Sequence, residues 1–300
     1  MPTYGIGTKR GRNLASSTTS VQALTLDRRE RPAYAEFLEK YLIPHKPLII
    51  SGALDHWAAL KWTPEYFLQK YPDLPLKING RDFRMADFVE TILNSNEQHP
   101  APYLRNEIID HFLPALLPDI HPTPVYFSEN WLDGPLSQPL HSRFDRGRAQ
   151  FFLGGKGGTF PFLHFDGWHS HAFICQIYGT KEFTLYSPEQ APYLYVKPTQ
   201  YNASQIPDIE HPDYDKYPLF ARAAAVRLRI EPGEVLFIPG GWWHSAKMTM
   251  PSITISVNRA NASNWGGLTR DFCATAPLHM KPLVWAYLSS VRVFRTLRGS

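Results

Sequence analysis

Between Val125 and Asn258 the chain breaks into eight short runs, VYFS, AQFFLGG, FLHFD, HAFICQIY, KEFTLYS, VRLRI, VLFIP and SITISVN, separated by glycine, proline and polar residues. Runs of this length, rich in β-branched and aromatic residues, are strand signals, and a succession of them specifies a double-sheet jelly roll or barrel rather than a helical bundle. The 27 prolines, 19 glycines and 14% aromatic content fit that architecture, since every turn between short strands needs special backbone geometry. With 43% hydrophobic and 19% charged residues the chain is too apolar for a disordered polymer. Its 300 residues suffice for one large core or two modest ones.

The expected fold is therefore mainly β, with helical additions at both ends. Residues 1–26, basic and rich in Ser and Thr, read as a disordered tail, because Pro2, Gly5, Gly7 and Gly11 oppose the amphipathic helix of a transit peptide. Residues 27–124 read as a mixed, mostly helical shoulder. Pro32 opens one helical stretch through Leu42, Thr63 and Pro64 form an N-cap followed by an N1 proline, and Phe88, Ile92 and Leu93 share one helix face. LIIS at 48–51 and LKIN at 76–79 are strand candidates for a sheet edge. Residues 125–264 form the β core, interrupted at 187–225 by an irregular insertion of the kind that borders sites. In the segment 265–300, Val284, Tyr287, Leu288, Val291, Phe294 and Leu297 recur at helical spacing, with Arg292, Arg295 and Arg298 near the other face. That amphipathic helix would pack on the parent domain or on a twin subunit, and a homodimer contact is the expectation.

Charge excludes one class of partner as an expectation. The net +4 resides in the termini, where Lys9, Arg10, Arg12, Lys281, Arg292, Arg295 and Arg298 stand without acids. Without those seven, the body holds 24 basic and 27 acidic residues, which argues against a nucleic-acid surface built on the fold. Cys175 and Cys273 lack zinc-ligand spacing and are too few for a disulfide framework. No apolar run reaches the roughly 18 residues of a membrane span, so a cytoplasmic setting is expected.

The chemistry concentrates in FLHFD. On a strand, residues i and i+2 share a face, so His164 and Asp166 aim an imidazole and a carboxylate into one volume. A third candidate follows in EPGEVLFIPGGWWHSAKM, where His244 stands at a strand-to-loop edge after Pro239–Gly241. Two histidines and one carboxylate are the set that holds Fe(II) while leaving coordination positions open, whereas structural zinc closes four. His169 and His171 alternate on one strand face as rival ligands or as lining of the substrate entrance. Trp168 and Trp243, each next to a metal candidate, are placed to touch substrate or exclude water.

Gly158, five residues and His164, then Gly233, five residues, Pro239, one residue, Gly241, two residues and His244, together resemble the two cupin motifs. Asp166 where many cupins carry a second histidine, GWWH before SITISVN, and IYGTKEFTLYSPEQAPYLY resemble the Jumonji C (JmjC) branch of Fe(II)- and 2-oxoglutarate-dependent oxygenases. The likeness runs from about Val125 to Asn264 and extends into PLIISGALDHWAALKWTPEYF. It implies a double-stranded β-helix (cupin jelly roll) that uses Fe(II), 2-oxoglutarate and dioxygen to hydroxylate a C–H bond. His164, Asp166 and His244 would be the iron ligands and Lys181 the partner of the distal 2-oxoglutarate carboxylate. Tyr126 would stand beside it, Asn258 near the chelating end, and Thr159 as a further polar contact. Pro161 replaces a hydroxyl residue often seen in related hydroxylases, and GWHSHAF lacks an asparagine that many members place there. With two cysteines and no room for zinc-finger readers, the chain resembles the side-chain hydroxylases of this branch, so a protein or peptide is the first expected substrate. A small molecule or a modified RNA stays open, RNA being the less expected of the two. Two rivals stay open at this point: a metal-dependent cupin that does not use 2-oxoglutarate, and a non-catalytic metal-stabilised binding module.

Overall fold

The computed structural model describes residues 26–133 and 148–297. The tail expected for residues 1–26 lies almost wholly outside the described residues, as does Arg298.

The shoulder supplies more strand than its periodicity suggests. Short strands β1 (Arg28–Glu30) and β2 (Leu48–Ser51) run parallel to each other, and a helical run over Tyr34–Leu42 connects them. Thr63 accepts a hydrogen bond from the Tyr66 N–H at 3.2 Å and caps helix α1 (Pro64–Lys70), a contact worth about 1 kcal/mol. Strands β3 (Pro75–Ile78) and β4 (Arg81–Arg84) pair only with each other, so LKIN forms a separate ribbon instead of a sheet edge. Helix α2 (Met85–Leu93) buries Phe88 and Ile92, whereas Leu93 turns outward and is exposed. Strand β5 (Leu104–Ile108) closes the shoulder.

The remaining strands are β6 (Ala149–Gly154), β7 (His171–Tyr178), β8 (Lys181–Tyr186), β9 (Val196–Lys197) and β10 (Gln200–Ser204). They continue with β11 (Val226–Ile230), β12 (Val235–Ile238), β13 (Trp243–Met248) and β14 (Ser252–Arg259). VYFS and FLHFD are not among them: Val125–Phe127 is a single 3-10 turn that buries Tyr126 and Phe127, and FLHFD is extended chain that bridges to its neighbours only at His164. The large sheet runs β1-β2-β12-β7-β14-β6-β5, so shoulder strands complete both of its edges. A smaller sheet, β11-β8-β13, faces it, and residues Thr159 and His164 bridge to Lys247 and His244 along its margin. Two facing antiparallel sheets of this connectivity are the cupin jelly roll, a mainly β fold.

Alternation along β7 divides the interior. Phe173, Cys175 and Ile177 face outward into the main core with Phe37, Phe67 and Phe88 of the shoulder. Ala172 and Ile174 face inward, where Phe183, Leu185, Ile230 and Ile238 fill one end of the sandwich. The other end is polar and open. The last two helices, α3 (Trp265–Thr275) and α4 (Lys281–Leu297), pack together, with Leu288 and Val291 buried against Trp131, Trp265 and Leu268. Trp265 Nε1 also donates to the Leu288 carbonyl at 2.9 Å. The centre of the apolar face of α4 is thus spent within this chain, and the fold gives no support to the expected homodimer contact. None of the helices among the described residues is long and apolar enough to cross a membrane.

Candidate metal centre

The open end of the sandwich gathers side chains from both sheets. His164 and His244 are direct cross-strand neighbours whose backbones exchange hydrogen bonds, N164 to O244 at 3.1 Å and N244 to O164 at 2.6 Å. Such a pair projects both side chains to one face, and the ring centroids stand 4.4 Å apart. Asp166, two residues on, joins them, and one ligand atom from each of His164, Asp166 and His244 lies within 4.8 Å of the others.

The centre is oriented from outside. His164 Nδ1 faces the Phe162 carbonyl at 3.2 Å and His244 Nδ1 faces the Trp242 carbonyl at 3.1 Å. A carbonyl accepts only, so each Nδ1 carries the proton and each Nε2 presents its lone pair, the arrangement of metal-binding imidazoles. Asp166 Oδ2 accepts from Asn258 Nδ2 at 2.8 Å, and Asn258 donates also to Ser170 Oγ at 3.1 Å.

Deeper in the same cavity lies Lys181, only 2% exposed. Its ammonium donates to Thr254 Oγ1 at 2.6 Å and to the Tyr103 hydroxyl at 3.1 Å. Thr254 passes the bond on to Gln176 Oε1 at 3.0 Å. Among the described residues no carboxylate pairs with Lys181, and burial pushes its pKa down to about 7. The cavity measures about 70 Å³ and opens into a mouth of about 290 Å³. A larger groove of about 560 Å³ lies on the outer face of the small sheet between Glu182, Arg227 and Lys247, and no metal candidate opens onto it.

Two imidazoles with fixed tautomers and one hydrogen-bonded carboxylate fit a divalent transition metal with open positions. A buried ammonium supported only by hydroxyls fits an anionic group entering from the metal side. The residues present therefore suit both iron and a dicarboxylate.

Several sequence expectations meet different surroundings. Tyr126 stands in the main core and donates its hydroxyl to the Pro32 carbonyl at 2.7 Å, so the ring beside Lys181 is Tyr103 instead. Thr159 is exposed and bridges to Lys247, leaving Phe160 to line the cavity. His171 points away from the centre: its Nδ1 accepts from the Gly240 N–H at 3.0 Å, Nε2 meets Ser263 Oγ at 2.8 Å, and burial drives its pKa to about 3. His169 is bound to Asp271 and to Arg270 of α3. Trp168 packs on Phe272, and Trp243 on Phe165 at 4.9 Å, away from the mouth. Neither histidine is a rival ligand, and neither tryptophan lines the cavity or its mouth.

These residues hold the turn instead. Trp168 and His169 have φ of 56° and 50°, an uncommon left-handed pair that swings the chain from Asp166 into β7. Gly240 lets the next loop approach, because a Cβ there would lie 2.1 Å from the His169 carbonyl oxygen. Tyr103, Thr254, Asn106 and Gln150 were not singled out by sequence reasoning. For Thr254 a signal existed, since SITISVN alternates Ser252, Thr254, Ser256 and Asn258 with apolar residues.

Facing sheets around a two-histidine, one-carboxylate centre define a cupin. The sequence profile described as a cupin-like domain matches residues 34–260, and the chain belongs to that JmjC/cupin-like family. It is 30% identical over 240 residues to lysine-specific demethylase 8 of Xenopus tropicalis, covering 75% of this chain and 50% of that protein. It is 28% identical over 238 residues to tRNA wybutosine-synthesizing protein 5 of Mus musculus, covering 75% and 74%. With JmjC domain-containing protein D of Dictyostelium discoideum it shares 27% over 247 residues, covering 75% and 54%. The chain thus spans about half the length of the first and third relatives and about three quarters of the second. A relative named for tRNA modification removes the support for excluding nucleic acid on net charge.

Proposed function

We propose that this chain is an Fe(II)- and 2-oxoglutarate-dependent oxygenase that hydroxylates a C–H bond of a protein or peptide side chain. The observation that carries this reading is the buried Lys181, without an anionic partner among the described residues, in the same cavity as the His164, Asp166 and His244 centre.

Bound iron and 2-oxoglutarate supply the oxygen chemistry: one oxygen atom of O2 enters the substrate C–H bond, the other enters succinate, and carbon dioxide leaves. The protein's own residues bind and orient. His164, Asp166 and His244 would hold the metal, and the mouth opens beside them. Lys181 anchors the distal carboxylate by a charge-assisted hydrogen bond, and the Tyr103 and Thr254 hydroxyls keep its ammonium in place. Asn258 fixes the Asp166 carboxylate, while Phe160, Ile174 and Phe183 line the cavity and exclude water from the reacting volume. A cytoplasmic setting is part of this reading, supported by two cysteines that are both free.

The test is anaerobic titration of 2-oxoglutarate into the Mn(II)-loaded protein. Wild type should bind it, and Lys181→Met should lose at least tenfold in affinity while still taking up Mn(II). Equal affinity in the two proteins would point to the cupin reading that does not use 2-oxoglutarate.

A further inference from the structure

We propose that the cavity mouth is built for an uncharged, hydrogen-bonding stretch of polypeptide and rejects a cationic side chain, an inference that rests on the oxygenase reading above. Three carboxamides, Asn106, Gln150 and Gln200, line the mouth beside the metal candidates, and none has a side-chain hydrogen-bond partner among the described residues. Gln150 is only 8% exposed as a residue, and its side chain lines both the cavity and the mouth. A fourth, Asn202, donates to the Phe165 carbonyl at 2.8 Å.

Their placement is specific. Gln200 and Asn202 alternate along β10 and so share one face of that strand. Across from them, the β5–β6 register shifts between Leu104 and Glu107, and Asn106 adopts φ 60° at this irregularity, which aims its side chain into the mouth. Each carboxamide offers both a donor and an acceptor, the complement of a peptide group.

Charge points the same way. Among the described residues the one carboxylate lining the mouth is Asp166, which belongs to the metal centre. The Arg105 guanidinium lies 5.4 Å from the centroid of Phe160, and the Lys197 ammonium 5.2 Å from that of Phe162, both rings of the mouth. A methylated ammonium would find, among the described lining residues, two phenyl rings that each already carry a cation and no carboxylate free of the metal centre. A nucleobase fares no better, since Phe160 is already stacked on His164 at 4.3 Å with Arg105 over its ring, and Lys197 covers Phe162. Polypeptide is the source that the carboxamides favour.

The experiment uses the iron- and 2-oxoglutarate-loaded full chain with a peptide pool of one flanking sequence and varied central residue. Asn, Gln, Ser, Leu, Lys and trimethyl-lysine stand at the centre, and an RNA oligonucleotide runs in parallel. Mass spectrometry reads oxygen gain or methyl loss, and succinate is measured alongside. Peptides with uncharged centres should gain oxygen about tenfold faster than those with Lys or trimethyl-lysine. Gln200→Glu and Asn106→Asp, both outside the core, should narrow or reverse that ratio. Demethylation of the trimethyl-lysine peptide at an equal or greater rate overturns the inference. So does oxidation of the RNA with the peptides untouched, or succinate formation with no peptide modified. If no succinate forms under any condition, the oxygenase reading beneath it falls instead.

Discussion

Asn258 on β14 donates to Asp166 Oδ2 at 2.8 Å, so the large sheet holds the carboxylate whose two histidine partners stand along the margin of the small one. The metal centre is therefore built from residues held by both sheets. Replacing Asn258 by Leu keeps the approximate volume and removes the donor. Metal affinity should fall about 10- to 100-fold, as expected for loss of a group orienting a metal ligand, and Mn(II) titration followed by electron paramagnetic resonance reads it.

Lys181 gives the site a pH dependence with a definite sign. Its pKa is lowered from 10.5 to about 7 in the folded protein, so the unfolded chain binds more protons between those values. The unliganded protein should therefore gain stability from this group as pH rises from about 7 toward 10.5. Lys181→Met should remove that part of the slope and raise Tm at neutral pH, measurable by thermal melts from pH 6 to 10. Binding of 2-oxoglutarate works in the opposite sense, because it needs the ammonium. Affinity should weaken by up to tenfold per pH unit above about 7, with proton uptake visible by calorimetry in buffers of different ionisation enthalpy.

His171 acts on the acid side. Burial lowers its pKa from 6.5 to about 3, so its contribution is complete above pH 6.5 and is lost progressively as pH falls toward 3. His171→Asn should flatten this part of the acid unfolding curve. Free carboxylates titrate near 4, so the difference is sharpest between about pH 4.5 and 6.5.

The C-terminal helices reach the turn beside the metal centre through Asp271, Arg270 and Phe272. Asp271 of α3 is 5% exposed and binds His169, three residues beyond Asp166. Asp271→Ala should cost about 1–3 kcal/mol in chemical denaturation, because it removes the hydrogen bond between the buried Asp271 carboxylate and the half-buried His169 imidazole. It should also weaken Mn(II) binding, since the left-handed turn at Trp168 and His169 loses its anchor.

How much of this was legible follows from period and phase. His164 and Asp166 could be paired from a period of two and His244 found from motif spacing, whereas Lys181 came from the resemblance to JmjC oxygenases and not from local geometry. The phase of β7 could not be read. HAFICQIY is buried on both faces, so alternation does not say whether His171 looks toward the metal or toward the helical shoulder. Tyr103 and Asn106 were hidden for another reason: β5 lies far upstream and reaches the site only by pairing with β6 at the sheet edge. The helical period around Phe88 was visible, but Leu93 sits where the helix ends and the exposed face begins.

The most direct test of the central claim is succinate formation from 2-oxoglutarate by protein loaded with iron under anaerobic conditions and then given air. Wild type should produce succinate with oxygen consumed in step, even without the true substrate, and His164→Ala and Lys181→Met should reduce it to background. Succinate formed equally by all three proteins, or 2-oxoglutarate bound by iron-loaded wild type with none converted on addition of peptide substrates, would contradict the account.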